Sequence, residues 1–376
     1  MLAGLAVAVL GLLVAATCAA VPSVVQRASV SWPDANWPGE LGSVPLGNGD
    51  VAGNVWIDQA TGTLYIYAAK SDAYDANNNP VKVARLAVLF SPTLWVQGQT
   101  TDFNQTLDVA TGSFSVTTAS YSVLVFIDAN SDTLYITANS TNGQAFNMSA
   151  TLEVYRTSTV VTNLGGGTYC SNLYDTADTV LPSPPGSLSD AVVWYHRNEY
   201  VNGTSGSYMY TTLEQQGVDP TAIPDPFINN TFGGAMYGSP NLIKNSSISL
   251  SGVNVTAAVV TVVLLTEQVA DEQTWIDDIE ALVTQSTQTS VETAWSSHVA
   301  TWDMLWGRSY IDISTTNASA FAQQNVELVN THYVWQRFLD LCNGRNAKLP
   351  IHFNGQAFVV NEGNGPDYRA WGPSFW

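Results

Sequence analysis

Residues 63–68 read TLYIYA, and residues 133–138 echo them as TLYITA. Successive side chains of a β-strand point to opposite faces of a sheet, so this alternation predicts strands with one buried face. The chain holds only two copies of the pattern, which argues against a repeat architecture. We interpret both segments as strands that the chain enters from similar turns.

Segments of the same kind surround these two. Residues 81–90 alternate with one change of phase, residues 114–127 are rich in Ser, Thr, Val and aromatic side chains, and residues 247–266 predict two strands joined near Ser251-Gly252. Strands at such close spacing, without helices between them, are typical of a large antiparallel sandwich of two sheets. The Gly- and Pro-rich residues 164–240 predict long loops over this sandwich.

The hydrophobic period changes after residue 270. Apolar residues recur at steps of three and four over residues 272–306 and again over residues 318–343, which predicts amphipathic helices. We expect a break in the first helix near residues 286–290 and a short strand at residues 308–313. The predicted fold class is therefore mainly β, with a large antiparallel β-sandwich followed by helices.

These patterns divide the chain into four parts. The parts are a signal peptide at residues 1–20, a β-sandwich domain at residues 28–268, a helical linker at residues 271–313 and the start of a helical domain at residues 314–376.

The N-terminus has the composition of a secretory signal. Residues 2–16 form an almost unbroken apolar run, which is short for a membrane span of ~20 residues. Small residues follow, and Cys18 and Ala20 suit cleavage after Ala20, although no Lys or Arg precedes the run. We predict a secreted, extracellular protein without a membrane span after cleavage. An uncleaved anchor and a lipid anchor on Cys18 are the alternatives.

The chain is acidic and sparsely charged. Charged residues make up 11% of it, against about 25% in an average globular protein. Lys and Arg number 12 and Asp and Glu 31, so the net charge is −19. Such a chain repels nucleic acid and anionic lipid, and a neutral partner such as a carbohydrate fits it better. The oligomeric state is left open.

Eight N-x-Ser/Thr sequons beside a signal peptide favour a secreted glycoprotein. The predicted glycosylation sites are Asn104, Asn139, Asn147, Asn202, Asn229, Asn245, Asn254 and Asn317.

The sequence predicts no cofactor and no metal site. The four histidines stand alone, and no Cys or His spacing is typical of a metal centre. Asp72, Asp75 and Asn77 do not fit a full calcium-binding loop, so we interpret them as a solvated turn. Signal cleavage leaves Cys170 and Cys342, and their spacing does not decide whether they pair.

Four segments, in this order, resemble a known family. They are VPLGNGDV at residues 44–51 with NVW at 54–56, KSDAYDAN at 70–77, the segment from His298 to Ile311, and IHFNGQ at 351–356 with DYRAWGP at 367–373. Over residues 31–376 the chain resembles DUF5703-type glycoside-hydrolase-like proteins and, more distantly, family 95 α-L-fucosidases. The resemblance implies an N-terminal β-sandwich, a helical linker and a six-hairpin (α/α)6 barrel with a sugar-binding cleft.

The resemblance also implies glycoside hydrolysis, which needs a general acid and a base. The carboxyls in the barrel part are Glu362 and Asp367, which are weak candidates for catalysis because neither has a visible partner. Neutral sugars are bound by amide and hydroxyl groups and by a flat aromatic face. The predicted substrate-binding residues are Asn354, Gln356, Tyr368, Arg369 and Trp371, with packing and ion pairing as their alternative roles.

Two further motifs have plain structural interpretations. Gly47-Asn48-Gly49-Asp50 predicts a tight turn that needs positive φ, with a sugar contact by Asn48 or Asp50 as the alternative. Trp295, Trp302 and Trp306 stand at helical spacing, which favours a packed core over a lectin surface.

We predict a secreted glycoside-hydrolase-like protein related to enzymes that act on neutral glycans. An (α/α)6 barrel needs six helix pairs, and only about 60 residues follow Ile313. We therefore expect this chain to be a fragment that is catalytically incomplete and inactive by itself. The alternative is a non-catalytic carbohydrate-binding secreted glycoprotein.

Overall fold

One large sheet, named sheet A here, has nine antiparallel strands in the part of the chain that the structure describes. The computed structural model describes residues 21–34, 42–76, 80–97, 102–162, 173–199, 208–239, 241–346 and 348. Across sheet A the strands are β1 (Val30–Trp32), β6 (Asn104–Asp108), β7 (Ser113–Thr117), β8 (Tyr121–Ile127), β9 (Thr133–Ser140), β18 (Ala257–Gln268), β15 (Asn230–Gly238), β14 (Val192–Arg197) and β13 (Thr179–Leu181).

The second large sheet, sheet B, has seven described strands and is also antiparallel. Across it the strands are β16 (Ile243–Lys244), β17 (Ser249–Val255), β10 (Phe146–Glu153), β5 (Pro80–Ser91), β4 (Leu64–Tyr74), β3 (Val51–Ile57) and β2 (Val44–Gly47). A separate pair is formed by β11 (Val160–Thr162) and β12 (Leu173–Asp175). The predicted large antiparallel β-sandwich followed by helices is confirmed.

Alternation along each strand decides which side chains fill the space between the sheets. On β8, Tyr121, Val123, Val125 and Ile127 are at most 1% exposed and join the central core. The intervening Phe126 points to the other face of sheet A, where it packs against a helix. Both faces of this strand are apolar because both are covered.

Two local features of the strands follow the sequence patterns closely. The change of phase in residues 81–90 corresponds to a register shift between β4 and β5 at Ala68 and Ala69. The two echoed strands are entered from similar turns, as predicted. Asp58 N–H donates to the Thr63 carbonyl and Asp128 N–H to the Thr133 carbonyl, both at 2.8 Å.

Five α-helices are described, and the three long ones follow the strands. They are α1 (Ser23–Arg27), α2 (Tyr208–Gln215), α3 (Glu272–Ser286), α4 (Val291–Arg308) and α5 (Ala320–Gly344). The break between α3 and α4 falls where the sequence predicts it. Side chains cap the N-termini of the long helices and accept hydrogen bonds from N–H groups of the first turn; the caps are Asp271, Ser290 and Ser319.

The long helices pack on the sandwich through their apolar faces. Trp275 and Ile279 of α3 cover the outer face of sheet A. Trp302 and Trp306 of α4 are fully buried and belong to the same core as the strands. From α5, residues four apart join that core, namely Val334, Phe338 and Cys342. The prediction that the α4 tryptophans are core residues is confirmed, with Trp295 partly buried.

The predicted junction near Ser251-Gly252 is wrong. Gly252 lies inside β17, where it is required because a Cβ would stand 2.6 Å from the carbonyl oxygen of Asn241. The chain turns later, at Thr256, after Asn254 has adopted a φ of +55°. The glycine therefore marks a close backbone approach and not a turn.

Two other local expectations also fail. Residues 164–240 contain β14 and β15, so part of this segment runs through sheet A and not over it as loops. Residues 308–313 form no strand; α4 ends at Arg308, and Ile313 N–H donates to Asn330 Oδ1 at 2.9 Å. A side chain of α5 satisfies this backbone group, so no strand partner is needed.

None of the helices in the described ranges combines the length and apolarity needed to cross a membrane. The predicted signal peptide, residues 1–20, lies outside those ranges. Cys342 is a buried free thiol, and Cys170 also lies outside the described residues.

Candidate functional site

The predicted catalytic and substrate-binding residues lie outside the described residues. All seven belong to residues 349–376: Glu362, Asp367, Asn354, Gln356, Tyr368, Arg369 and Trp371. Their roles therefore stay predictions. The described residue nearest to them along the chain is Lys348, so the candidate site is built around Lys348 and the elements that hold it.

The tight turn between β2 and β3 is fixed by the side chain of Asn48. Its amide oxygen accepts hydrogen bonds from the N–H groups of Asp50 at 2.9 Å and Val51 at 2.8 Å. Its amide nitrogen donates to the carbonyl oxygens of Asp128 and Ser131, both at 3.0 Å, in the loop between β8 and β9. Asn48 is 2% exposed, so its polar atoms are used by the fold. The predicted tight turn is confirmed in preference to a sugar contact by Asn48.

Two glycines let the end of α5 approach this turn. Gly49 has a φ of +96°, which side chains rarely adopt, and its N–H donates to the carbonyl oxygen of Cys342 at 2.9 Å. A Cβ on Gly47 or Gly49 would stand less than 3.0 Å from backbone atoms of Cys342 or Arg345. The glycines therefore serve the turn and also make room for the helix.

The residues after α5 close over the same turn. Arg345 Nε and Asn346 Nδ2 both donate to the carbonyl oxygen of Asn48, at 3.0 and 2.9 Å. Arg345 Nη2 donates to the carbonyl oxygen of Ala129 at 3.2 Å, and its guanidinium lies 5.8 Å from the centre of the Trp302 ring. Loops of both sheets are thus held by one arginine.

Beside the turn, a lysine ammonium group is buried among three carboxylates. Lys70 Nζ lies 2.5 Å from Asp50, 3.2 Å from Asp72 and 3.2 Å from Asp132, and its side chain is 0% exposed. Burial alone would lower the pKa of Lys70, but the carboxylates of Asp72, Asp132 and Asp50 outweigh burial and raise it. The ammonium stays charged and links sheet B to the loop before β9 of sheet A.

Lys348 brings a second cation to this cluster. Its Nζ lies 3.4 Å from Asp72 and 3.8 Å from Asp50, and its side chain is half exposed. Its N–H donates to Ser71 Oγ at 3.0 Å, and the Ser71 hydroxyl in turn donates to Asp50. We name the three residues after α5 that make these contacts the clasp: Arg345, Asn346 and Lys348.

The cluster opens to solvent at an acidic rim. The side chains of Asp72 and Asp132 are 12% and 30% exposed. Glu267, at the end of β18, is within the electrostatic reach of Lys348 and Asp72. Burial and a hydrogen bond with Asp278 raise the pKa of Glu267. Such carboxyl groups can accept hydrogen bonds from the hydroxyl groups of a ligand.

The interpretation of residues 72–77 as a solvated turn is wrong for the two acidic residues that the structure describes. Asp72 is ion-paired with Lys70 and Lys348, and Asp75 is 3% exposed. The cause is that β4 continues to Tyr74, so these residues are part of, or directly follow, a sandwich strand. Asn77 lies outside the described residues.

A second buried polar cluster was not predicted from the sequence. His196 contacts Asn198 Oδ1 at 3.0 Å through Nε2 and Asp178 Oδ1 at 3.2 Å through Nδ1, while Arg156 Nε donates to Asp178 at 2.7 Å. Burial and the charge of Arg156 lower the pKa of His196. All four side chains are closed to solvent, which favours a structural role. The available signal was four polar residues directly after the apolar residues 192–195.

Among the described residues, no group of three or more His, Cys, Asp and Glu side chains is arranged to hold a metal ion. In the Asp50 and Asp72 cluster, the cation that offsets the carboxylates is the ammonium of Lys70.

Seven of the eight predicted glycosylation sites lie in the described part of the chain, and Asn202 does not. Five of the seven asparagines are exposed, namely Asn139, Asn147, Asn245, Asn254 and Asn317. Asn104 and Asn229 are partly buried.

The chain is similar to a known protein family and to a solved structure. The family model described as a domain of unknown function, DUF5703, matches residues 35–311. None of the curated proteins matches the chain. A solved structure described as a kojibiose phosphorylase from the human microbiome is similar to it, with 10% sequence identity and a TM-score of 0.42. The similarity covers 77% of this chain and 38% of that one.

Proposed function

The chain belongs to the DUF5703 family, and from that premise we propose that it is a secreted glycoside-hydrolase-like protein that binds neutral glycans. The observation that carries the proposal is the clasp. It holds Lys348 beside the acidic rim, and Lys348 is the described residue nearest along the chain to the predicted substrate-binding side chains.

The charges of the rim support a neutral, hydroxyl-rich ligand. Asp72 and Asp132 are partly exposed hydrogen-bond acceptors, and half-exposed Lys348 is a donor. Sugar hydroxyl groups donate and accept at once, so they can satisfy both kinds of group. An anionic ligand would meet the repulsion of the surrounding carboxylates and of a net charge of −19.

A non-catalytic carbohydrate-binding role is the second candidate, and one observation favours it. Asp50 lies 2.5 Å from the Lys70 ammonium. Burial would raise the pKa of Asp50, but the charge of Lys70 and the hydrogen bonds from Lys70 and Ser71 outweigh burial and lower that pKa. Asp50 is therefore a poor general acid, and hydrolysis would depend on other carboxyls such as Glu362 and Asp367.

Binding is tested with an array of neutral oligosaccharides, fucosylated ones included. We expect the wild-type chain to bind members of the array and Trp371→Ala to bind them about 10-fold more weakly, because a sugar face loses its aromatic partner. Phe321→Ala is the matched control, since Phe321 is an aromatic side chain that is 76% exposed on α5 and is not among the predicted substrate-binding residues. A wild-type chain that binds no member of the array contradicts the proposal.

Catalysis is tested separately on aryl glycosides and fucosylated oligosaccharides. Turnover that disappears in Glu362→Gln or Asp367→Asn would establish hydrolysis and name its acid. Binding on the array without turnover would instead support the carbohydrate-binding alternative.

Secretion is part of the same proposal. We propose that residues 1–20 are removed and that the mature chain begins near Val21. Mass spectrometry of protein recovered from the medium of a secreting host measures the N-terminus directly. Recovery of chains that still begin at Met1 would overturn the cleavage.

A further inference from the structure

Three asparagines of the described residues are followed directly by glycine. They are Asn48, Asn142 and Asn343. In such a pair the backbone nitrogen of the glycine can attack the side-chain amide of the asparagine, because glycine has no side chain to block the approach. The fold gives the three pairs different surroundings, so the structure decides which of them is reactive.

The pair Asn142-Gly143 lies in the turn between β9 and β10, and both of its residues are exposed. Gly143 has a φ of +76°, and nothing lies within 4 Å of the position that a Cβ on it would occupy. Among the described residues, Gly143 N–H has no hydrogen-bond acceptor. The nitrogen that would attack is therefore unobstructed and open to water.

The side chain of Asn142 is folded back toward this nitrogen. Asn142 Oδ1 accepts a hydrogen bond from Gln144 N–H at 2.9 Å and another from the Ser140 hydroxyl at 3.3 Å. The first bond closes a turn around the Gly143 peptide, so it holds the side-chain amide beside the Gly143 nitrogen. Both donors stabilise the negative charge that develops on Oδ1 when a nucleophile adds to the amide carbon.

Asn48 has a similar turn, but the fold holds the atoms that the reaction would use. Its amide nitrogen donates to two carbonyl oxygens, Gly49 N–H donates to the carbonyl oxygen of Cys342 at 2.9 Å, and the side chain is 2% exposed. Asn343 is 7% exposed near the end of α5, and its amide nitrogen donates to the carbonyl oxygen of Leu339 at 2.8 Å. In both pairs the group that would leave is fixed and shielded from water.

We propose that Asn142 is a site of spontaneous deamidation and that the fold protects Asn48 and Asn343 from the same reaction. The Gly143 nitrogen forms a bond to Asn142 Cγ, and the side-chain NH2 leaves with the proton of Gly143 as ammonia. A five-membered succinimide ring remains. Water, the only co-reactant, adds to either ring carbonyl and opens the ring to aspartate or isoaspartate. The reaction transfers no electron, and it adds one negative charge to the turn that joins sheet A to sheet B.

The test is peptide mapping by mass spectrometry of the full chain, secreted by a eukaryotic host and incubated in neutral buffer. Glycans are trimmed with an endoglycosidase that leaves the first sugar in place, because an amidase would itself convert asparagine to aspartate. We expect Asn142 to lose its amide at least about 10-fold faster than Asn48 or Asn343, since these two must first open locally. Similar native rates for Asn142 and Asn48 would overturn the protection by the fold.

Two variants and a methyltransferase that labels isoaspartate assign the reaction to its residue. Asn142→Gln should remove the label from this turn, because the longer side chain would have to close a six-membered ring. Asn241→Gln is the matched control, since Asn241 is an exposed asparagine followed by Leu242. It should keep the wild-type labelling. A label that persists in Asn142→Gln would overturn the assignment.

Unfolding separates the effect of the structure from that of the sequence. In guanidinium chloride the three pairs should react at rates within about threefold of one another, because their native surroundings are lost. A rate difference between Asn142 and Asn48 that persists in the denaturant would show that the fold is not its cause. If Asn142 reacts more than about 10-fold more slowly in the native protein than in the denaturant, its turn is protected too and the proposal is wrong.

Discussion

Gly112 and Gly143 share a left-handed backbone but have different surroundings. Their φ angles are +62° and +76°. A Cβ on Gly112 would stand less than 3.0 Å from the Trp302 ring, whereas nothing lies within 4 Å of a Cβ on Gly143. Gly112, in the turn before β7, is therefore required by its left-handed backbone and by the nearby Trp302 ring. Gly143, in the turn after β9, is required by its left-handed backbone alone.

The two glycines provide a matched pair of substitutions. We expect Gly112→Ala to lower the free energy of unfolding by about 2–4 kcal/mol, the sum of left-handed strain and overpacking against Trp302. Gly143→Ala should cost about 1–2 kcal/mol, from strain alone. Urea denaturation of both variants measures the difference. Equal decreases in the free energy of unfolding would mean that the Trp302 ring moves to accommodate the new methyl group without cost.

A buried histidine connects α4 to the sandwich in a form that must stay neutral. Ala129 N–H donates to His298 Nδ1 at 3.1 Å, and His298 Nε2 donates to the carbonyl oxygen of Thr111 at 2.6 Å. Burial lowers the pKa of His298 to about 4. A proton on His298 Nδ1 would remove the acceptor for the Ala129 N–H and bring two donors together.

The free energy of unfolding should therefore decrease as the pH falls from 6.5 to about 4. Below pH 6.5 the unfolded chain protonates this histidine while the folded chain does not, so stability is lost as the pH falls toward 4. Between pH 7.5 and 4.5 the loss from His298 is about 2.5 kcal/mol. We expect His298→Gln to lose less stability than wild type over this interval by about that amount, in urea denaturation at the two pH values. His332→Gln, at an exposed position of α5, is the control and should behave like wild type.

At the scale of elements, each long helix begins at a capping side chain. Ser290 Oγ accepts a hydrogen bond from Thr293 N–H at 3.2 Å at the start of α4. We expect Ser290→Ala to destabilise the protein by about 1 kcal/mol and Ser290→Asp to be nearly neutral, because aspartate caps equally well. Ser296→Ala, at an exposed position inside α4, should change little. A loss for Ser296→Ala as large as for Ser290→Ala would contradict the capping role.

Elements were predictable from the sequence where one local pattern decides them. The two strands that contain residues 63–68 and 133–138 follow from alternation, and α3 and α4 follow from apolar residues at steps of three and four that are interrupted near residues 286–290. The turn predicted at Gly252 was wrong because this glycine is required by the close approach of the Asn241 carbonyl oxygen. That contact is not local in the sequence.

The site was less predictable than the strands. The Asn48 turn is visible in its glycines, but its link to Arg345 spans almost 300 residues. Lys70 lies in sheet B and Asp132 in the loop before β9 of sheet A, so no spacing in the sequence brings them together. Long-range charge pairing of this kind has no periodic signature.

For the whole molecule, the shared core predicts that sandwich and helices unfold together. One hydrophobic cluster contains strand residues such as Leu46 together with Trp302 of α4 and Phe338 of α5. We expect the circular dichroism bands of the strands and of the helices to report the same melting midpoint. Trp302→Ala should cost about 3–5 kcal/mol and lower both midpoints together. Separate midpoints for the two signals would show that the helices melt on their own.

The exposed sequons are unevenly distributed over the molecule. Asn139 lies at the end of β9 beside Ala257, and Asn147 and Asn254 lie together, with Asn254 N–H donating to Asn147 Oδ1. The clasp is at the opposite end of the sandwich, since Asp132 directly precedes β9.

We expect a secreting eukaryotic host to modify the exposed asparagines and to leave Asn229 unmodified. Asn229 is partly buried, and its side-chain oxygen accepts a hydrogen bond from Arg197 at 3.0 Å, so a glycan on its amide nitrogen would crowd a side chain that the fold holds in place. Peptide mapping by mass spectrometry before and after glycosidase treatment reads each position. A glycan on Asn229 would contradict the expectation.

The edge of sheet B gives one of these glycans a second consequence. In the described part of the chain the sheet ends at β16, where Ile243 is 65% exposed, and Val253 of the neighbouring β17 is 70% exposed. An open strand edge with apolar side chains can pair with the same edge of another molecule and start aggregation. Asn245 directly follows β16, so a sugar chain on Asn245 would begin at that edge. It would hinder pairing of the edge with a second molecule. Glycosylation at Asn245 would then keep the protein soluble. Protein made without this glycan would precipitate before its activity could be tested.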